Sequence, residues 1–247
     1  TTFTVPTANA FPTGIAAGAD GNLWFTEQIG NKIGRISTSG TFAEFPLAAG
    51  SSPLLIVAGP DGALWFTESS SNKIGRITTG GTVTEFTVPT AASGPQGIAV
   101  GPDRNIWFSE LSANKIGRLT TTGTFTEFAI PTATGRPLGL VAGPDGNVWF
   151  AETTGNRIGR ITTGGTVTEF PLPTADADPP FVAVGPDGAI WFTEQHSDQI
   201  GRITTAGVIS EFAVPTPDSV PTSITTGPDA RLWFTEQGAG QIGAFRP

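Results

Sequence analysis

Residues 53–88 read PLLIVAGPDGALWFTESSSNKIGRITTGGTVTEFTV. Four runs stand out, Pro53 to Gly59, Leu64 to Glu68, Lys73 to Thr78 and Thr82 to Val88, rich in the Ile, Val, Phe, Trp and Thr that suit a pleated, half-buried surface. We label them A to D. Pro60-Asp61-Gly62 separates A from B: Pro presets the first turn position and Gly supplies positive φ, so a type I turn with a bulge closes a tight hairpin. Arg104 and Ala230 replace that Gly in the third and sixth repeats, where strain or another turn geometry is expected.

The same pattern runs through the chain. Trp24, Trp65, Trp107, Trp149, Trp191 and Trp233 lie 41, 42, 42, 42 and 42 residues apart, each followed by Phe and, two residues on, by Glu. A period of this length with four strands per repeat specifies a propeller blade. The 247 residues hold six such repeats, with no sequence left for a seventh, so the expected fold is all-β: one six-bladed β-propeller domain of four-stranded antiparallel blades over 1–247. The composition agrees, with 38% hydrophobic residues, 33 Gly and 21 Pro.

The chain ends on Gln241-Ile242-Gly243-Ala244-Phe245, matching run C, and begins with Thr2-Phe3-Thr4-Val5-Pro6, matching run D. Pairing these ends would complete the last blade and remove two exposed sheet edges, so closure by N- and C-terminal strands is expected.

Residues present in every blade serve the blade before they serve a site. The Trp-Phe pairs are expected to pack between sheets. The Gly of run C (Gly34, Gly75, Gly117, Gly159, Gly201, Gly243) is expected to make room for an aromatic ring, because Gly otherwise weakens a strand. Glu27, Glu68, Glu110, Glu152, Glu194 and Glu236 could ring a cation, but in four blades Lys32, Lys73, Lys115 or Arg157 follows five residues later. Acid and base then face each other across the B–C hairpin, and an ion pair between them is expected.

Variation is confined to one face. The A–B and C–D turns barely change, whereas the D–A and B–C loops, which share the other face, differ in every blade, and variable loops on a rigid scaffold commonly carry function. Of the 21 acids, Asp176, Asp178, Asp198 and Asp218 fall outside the repeated positions, all on that face, together with the single His196 and with Arg136. The A-strand starts place Thr13, Leu54, Gln96, Leu138, Phe181 and Thr222 at a channel mouth, and the B-strand ends add Gln28, Ser69, Leu111, Thr153, Gln195 and Gln237. The ligand-binding candidates are Thr13, Gln28, Gln96, Arg136, Phe181, Gln195, Thr222 and Gln237. Asp176, Asp178, His196 and Asp198 are a candidate divalent-cation site on the fifth blade, weighed against four solvated loop residues.

The net charge of −8, with 13 basic residues spread along the repeats, excludes a phosphate-neutralising stripe, so nucleic acid is not an expected partner. No apolar run reaches the roughly 18 residues of a membrane span. The chain reads as a soluble monomer. It has no Cys and no Met, hence no disulfide or thiolate metal site, and Thr1 is expected to follow a trimmed start or removed leader. The compartment stays undecided, with extracellular favoured over cytoplasmic.

The recurring Gly-Pro-Asp-Gly, Leu-Trp-Phe-Thr-Glu, Asn-Lys-Ile-Gly-Arg-Ile and Thr-Glu-Phe-Pro-Leu-Pro-Thr, as across 143–174, resemble the streptogramin B (virginiamycin B) lyases over the whole chain. The resemblance implies a Mg²⁺-binding, seven-bladed enzyme that opens a cyclic depsipeptide lactone by elimination. It also implies a general-base His and a second His just after the Pro that opens run A, a metal-binding Glu just before one such Pro, and another after run B. Here the first position reads Thr13, Leu54, Gln96, Leu138, Phe181 or Thr222, and the second Phe11, Ser52, Gly94, Arg136, Pro179 or Val220. Neither holds the family's residue. The expectation is therefore a noncatalytic scaffold or binding propeller with no cofactor and an unidentified small-molecule ligand. One alternative is a Mg²⁺-dependent streptogramin B lyase; another is a protein-interaction module using the D–A/B–C loop face.

Overall fold

The computed structural model describes residues 2–247, which form strands, turns and loops without a helix. The first repeat gives β1 (Pro12–Ala17), β2 (Leu23–Glu27), β3 (Lys32–Ile36) and β4 (Phe42–Pro46), and the second β5 (Pro53–Ala58), β6 (Leu64–Glu68), β7 (Lys73–Ile77) and β8 (Val83–Thr87). The third gives β9 (Pro95–Val100), β10 (Ile106–Glu110), β11 (Lys115–Leu119) and β12 (Phe125–Ala129), and the fourth β13 (Pro137–Ala142), β14 (Val148–Glu152), β15 (Arg157–Ile161) and β16 (Val167–Pro171). The fifth gives β17 (Val182–Val184), β18 (Ile190–Glu194), β19 (Gln199–Ile203) and β20 (Ile209–Ala213), and the sixth β21 (Pro221–Thr226), β22 (Leu232–Glu236) and β23 (Gln241–Phe245). Each repeat is its own sheet, strands in sequence order. These are the blades of an all-β, six-bladed β-propeller. By their contacts the residues divide into two compact units, one of residues up to 100 with 104–113 and 117–127, the other of 101–103, 114–116 and 128–247.

Strand alternation assigns the two faces of a blade. In the first compact unit, Trp24, Ile33, Phe45 and Leu47 of blade one pack against Ile56, Leu64, Phe66, Ile77 and Val83 of blade two. In the second, Trp149, Ile158 and Leu172 of blade four meet Val182, Ile190, Phe192 and Ile203 of blade five. In both pairs the Trp-bearing face of one blade meets the Phe-bearing face of the next. The run-C glycines do make room: a Cβ on Gly34, Gly75, Gly117, Gly159, Gly201 or Gly243 would collide with the Phe ring of run B, which for Gly34, Gly75, Gly159, Gly201 and Gly243 stands directly opposite in the register.

The Asp of each A–B turn has a task beyond the turn. The Trp65, Trp149 and Trp191 indoles donate to Asp61, Asp145 and Asp187 at 3.0, 3.0 and 2.9 Å. The guanidiniums of Arg76, Arg160 and Arg202 lie 5.8, 5.4 and 5.8 Å from those same Trp rings. A buried indole N–H is thereby satisfied and its ring capped by a cation. Arg104 and Ala230 keep the left-handed conformation of the Gly they replace, with φ of 60° and 56°, so the turn geometry persists and the strain is local.

Two expectations need correction. Glu27 and Lys32 do stand opposite each other in the β2–β3 register, yet Lys32 Nζ donates to Glu44 of β4 at 2.7 Å, and Lys73 likewise pairs with Glu85. The reason is depth: Glu27 and Glu68 are fully buried, whereas a long amine keeps its charge near water and takes the D-strand carboxylate there. The pairing of the chain ends is also absent. The last sheet has three strands, β21-β22-β23, and residues 2–6 carry no strand. Instead Phe3 lies over Gly40 of blade one, and Thr7 donates from N and Oγ1 to Glu44 at 3.0 and 2.9 Å. Phe45 over Gly81 and Thr90 on Glu127 repeat these contacts, so the segment makes the D-strand contacts that face the next blade.

Candidate functional site

The D–A and B–C loops are latched together by one backbone device. The residue before the Pro of run A is left-handed in every blade: Phe11, Ser52, Gly94, Arg136, Asp178 and Val220 have φ between 48° and 65°. Its carbonyl accepts the N–H of the first residue after run B, as in Gln28 to Phe11 at 3.1 Å, Thr153 to Arg136 at 3.3 Å, Gln195 to Asp178 at 3.3 Å and Gln237 to Val220 at 3.2 Å. Holding non-Gly residues, one of them β-branched, in this region stores strain at the position the family resemblance marks as functional.

This latch corrects the reading of blade five. Pro179, not Pro180, is the counterpart of Pro12, Pro53, Pro95, Pro137 and Pro221, because Asp178 and not Pro179 is the left-handed residue bound by the B–C loop. Pro180 therefore takes the post-proline position expected for Phe181, and the pre-proline position holds a carboxylate, Asp178. The Pro179-Pro180 doublet hid this. The signal was present, since the Pro that opens run A stands twelve residues before Trp in the other five blades. The second Pro cannot donate to the ladder, and run A shrinks to Val182–Val184.

The other candidates are placed mainly by their backbones. In the first compact unit, Thr13 Oγ1 meets Thr26 Oγ1 and the Leu54 carbonyl, each at 2.9 Å, so that hydroxyl fastens blade one to blade two; Gln96 offers its carbonyl to Thr67 Oγ1 at 2.8 Å. Gln28 is held by its latch to Phe11. In the second unit, the Arg136 N–H donates to Asn114 Oδ1 at 2.9 Å, and Thr222 Oγ1 donates to Gln237 Oε1 at 3.2 Å, which brings those two candidates together. Phe181 lies in the position of Gly139, and its carbonyl accepts the Thr193 N–H at 3.2 Å.

The acidic group on blade five is only partly a cluster. His196 stands 3.4 Å by Nε2 from Asp178 and 4.0 Å by Nδ1 from Asp176, whose side chain is 95% exposed. Asp198 faces away, its Oδ1 accepting Ser219 Oγ and Val220 N, both at 2.9 Å. Burial works to raise the Asp198 pKa, but these hydrogen bonds outweigh it and hold the carboxyl below its usual value. Asn31 and Asn114 accept the pre-proline N–H of the next blade, and Asn72 and Asn156 the N–H one residue before it, so Asp198 is a repeat residue in acidic form. Among the described residues no three His, Cys, Asp or Glu side chains converge as metal ligands.

Beneath the loops lie the run-B carboxyls. Burial, reinforced by the neighbouring Glu169 carboxylate, pushes Glu152 up to about 8, and burial with Glu211 pushes Glu194 up to about 7. Glu27 and Glu68 are raised in the same direction by burial. They lie beside their own D-strand Glu, not in a ring around a cation.

The Mg²⁺ site that the resemblance implies does not fit these residues. Its two carboxylate positions are filled on blade five by Asp178, already engaged by His196, and by Gln195, a neutral amide. His196, in turn, is a loop imidazole beside a carboxylate, the arrangement of a general base held by an acidic partner.

Comparison with known proteins places the chain. The model of the virginiamycin B lyase family matches residues 1–137 and 100–247. The crystal structure of virginiamycin B lyase from Staphylococcus aureus superposes with a TM-score of 0.93 at 38% identity, covering 99% of this chain and 87% of that one. A catalytically inactive form of that enzyme with quinupristin gives the same values. A putative gluconolactonase, at 17% identity and a TM-score of 0.68, shares the fold alone. No curated protein gives a match. With a family model over its whole length and 38% identity to a solved lyase, the chain belongs to the virginiamycin B lyase family.

Proposed function

We propose that the chain acts on a cyclic depsipeptide lactone of the streptogramin B class as a C–O lyase, using the D–A and B–C loops of blades four to six. The observation that carries this reading is Asp178: a carboxylate in the left-handed pre-proline position, 3.4 Å from the imidazole of His196. Family membership supplies the substrate class.

Elimination needs a base at the proton α to a carbonyl and a leaving group on the β carbon. With Nε2–H donating to Asp178, His196 Nδ1 is the lone pair free to take that proton. The C–H electrons form the Cα=Cβ double bond, the Cβ–O bond of the lactone breaks, and its electrons leave with the ring carboxylate. The macrocycle opens without water being added. Arg136, in the pre-proline position of blade four, is the cation of the D–A loops for the anionic product. No step is assigned to a metal.

A second reading is noncatalytic binding of the same ligand class. It is favoured by the post-proline positions Thr13, Leu54, Gln96, Leu138, Pro180 and Thr222, which hold no imidazole where the family resemblance expects the base.

Incubation with a streptogramin B antibiotic, with Mg²⁺ and with chelator, decides between them by chromatography and mass spectrometry. Elimination gives a new peak of unchanged mass, and hydrolysis one heavier by a water. Saturable binding without turnover leaves the second reading, and absence of both overturns the proposal.

A further inference from the structure

Blade five departs from its repeat at one charge. In blade one, Lys32 Nζ donates to Thr7 Oγ1 at 2.6 Å and to Glu44 Oε2 at 2.7 Å, and Lys32 is also the base opposite the buried Glu27. One ammonium thus serves a buried carboxyl, a D-strand carboxylate and a hydroxyl. Lys73 stands between Glu68 and Glu85 in the same way on blade two, and Arg157 is the residue opposite Glu152 on blade four. On blade five that residue is Gln199, opposite Glu194.

The acceptors around Gln199 are those that meet the ammonium in blade one. Glu211 Oε1 accepts the Thr174 N–H at 3.2 Å and Oε2 the Thr174 hydroxyl at 2.8 Å, as Glu44 accepts from Thr7. Gln199 Oε1 lies 3.1 Å from the same hydroxyl, which has one proton for both oxygens. Behind them Glu194 is fully buried. Ser197 Oγ donates to its Oε2 at 2.9 Å, whereas Oε1 has no hydrogen-bond partner and stands 2.7 Å from the place a Cβ on Gly201 would take. Gly201 is the cross-strand partner of Glu211, so the unpartnered oxygen is aimed along the sheet face that carries the Glu211 side chain. Burial, then the Glu211 carboxylate, push the Glu194 carboxyl up to about 7, with no base acting against them.

We propose that blade five binds a monovalent alkali cation between Glu194 and Glu211, in the position that the Lys32 ammonium takes in blade one, with Gln199 Oε1 and Thr174 Oγ1 as its neutral ligands. A buried carboxylate is costly unless a cation pairs with it, and a bound ion supplies here the charge that lysine supplies covalently elsewhere in the repeat. The ion is monovalent because the group it stands for carries a single charge. Ca²⁺ takes about 6–8 oxygens and Mg²⁺ keeps most of its waters, demands this donor set does not meet. Thr174, Gln199 and Glu211 are half-buried, which leaves the ion a route from solvent. None of the side chains assigned to lactone opening takes part, so the site stands apart from the proposed lyase activity.

The test is the melting temperature of the full chain in KCl or NaCl against tetramethylammonium chloride, each at about 0.1 M so that screening is constant, and at about pH 8.5, where Glu194 is ionised. A rise of roughly 2–4 °C in one or both alkali salts, growing with the logarithm of concentration, is expected. Gln199→Lys installs the residue of blades one and two. It is expected to melt in tetramethylammonium chloride at least as high as the wild type in alkali salt, and to lose the dependence on the ion. Glu211→Gln keeps the shape and removes a ligand charge; its shift is expected to disappear while near-ultraviolet dichroism stays unchanged. Crystals soaked in thallium(I), a potassium substitute, are expected to give an anomalous peak between the two carboxylates. A wild-type melt indifferent to the alkali ions, a shift that persists in Gln199→Lys, stabilisation by Ca²⁺ or Mg²⁺ alone, or a thallium peak only elsewhere overturns the proposal.

Discussion

Gly159 lies directly beneath the ring of Phe150, so that a Cβ on the glycine would occupy the space of the ring edge. The two residues are cross-strand partners in the β14–β15 register, and the pair recurs in all six blades. Gly is required here for space, since its φ is ordinary.

Gly159→Ala is expected to destabilise the chain by about 1–3 kcal/mol, the usual cost of overpacking a filled core. Urea denaturation reads the effect. The same substitution at Gly243 should cost a similar amount, because the Phe234 ring beside it is also buried, packed with Trp191 of blade five. A neutral effect at both sites would contradict the steric account.

Stability should fall as pH rises through neutrality. Burial holds Glu152 at about 8 and Glu194 at about 7, above the usual carboxylate value of 4.5, so their burial costs nothing below about 4.5, costs progressively more as pH rises from there to the folded values, and levels off above them. The A-B Asp residues act in the opposite sense. Asp61, Asp145 and Asp187 sit below their ordinary value despite desolvation, through hydrogen bonds from Trp and neighbouring groups, and their contribution is lost as pH falls through those lowered values. A melting temperature highest in mildly acidic buffer and lower at pH 9 is expected. Glu152→Gln, a neutral isostere, should flatten the alkaline limb and raise stability at pH 9 by a few kcal/mol at most. A wild-type melt independent of pH between 5 and 9 contradicts this.

Val220→Gly should stabilise the chain by about 1 kcal/mol or less. Val220 has φ of 48°, a conformation costing an L residue roughly 1–2 kcal/mol, and part of that gain is offset by the entropy of Gly in the unfolded chain. Calorimetry measures the sign. A loss would mean that the Val220 side chain, packed toward Gly238, outweighs the strain.

Asp198→Asn should be close to neutral in stability and in any lactone turnover, because it restores the amide that four other blades place at this D–A loop. His196→Gln should reduce turnover by about 10²–10⁴, the range of a lost general base. A large effect of Asp198→Asn would return that residue to the site.

Asp187→Ala removes one acceptor from both the Trp191 indole and the Arg202 guanidinium, at 2.9 and 2.7 Å, and should cost about 1–3 kcal/mol. Asp229→Ala on the open blade six should cost less, because Trp233 reaches water there and can replace the bond. Chemical denaturation of the two variants makes the comparison.

The six-fold recurrence of Trp-Phe-x-Glu, the turn residues of Gly-Pro-Asp-Gly and the two-residue alternation of the runs determined the fold class, the number of blades and the steric role of the run-C glycines. These are local or periodic properties, and strand geometry turns them directly into faces. The division between constant and variable loops likewise located the candidate face. The depth of a side chain was decided only in three dimensions. Lys32 and Glu27 share a strand register, but burial separates them and sends the lysine to Glu44. The identity of the pre-proline carboxylate also waited on tertiary structure, since the latch between Asp178 and Gln195 picks one proline of a doublet that sequence leaves equivalent. The fate of the chain ends depended on it most: residues 2–6 and β23 carry matching strand patterns, and a pattern records which strands can pair without recording whether both reach the same edge.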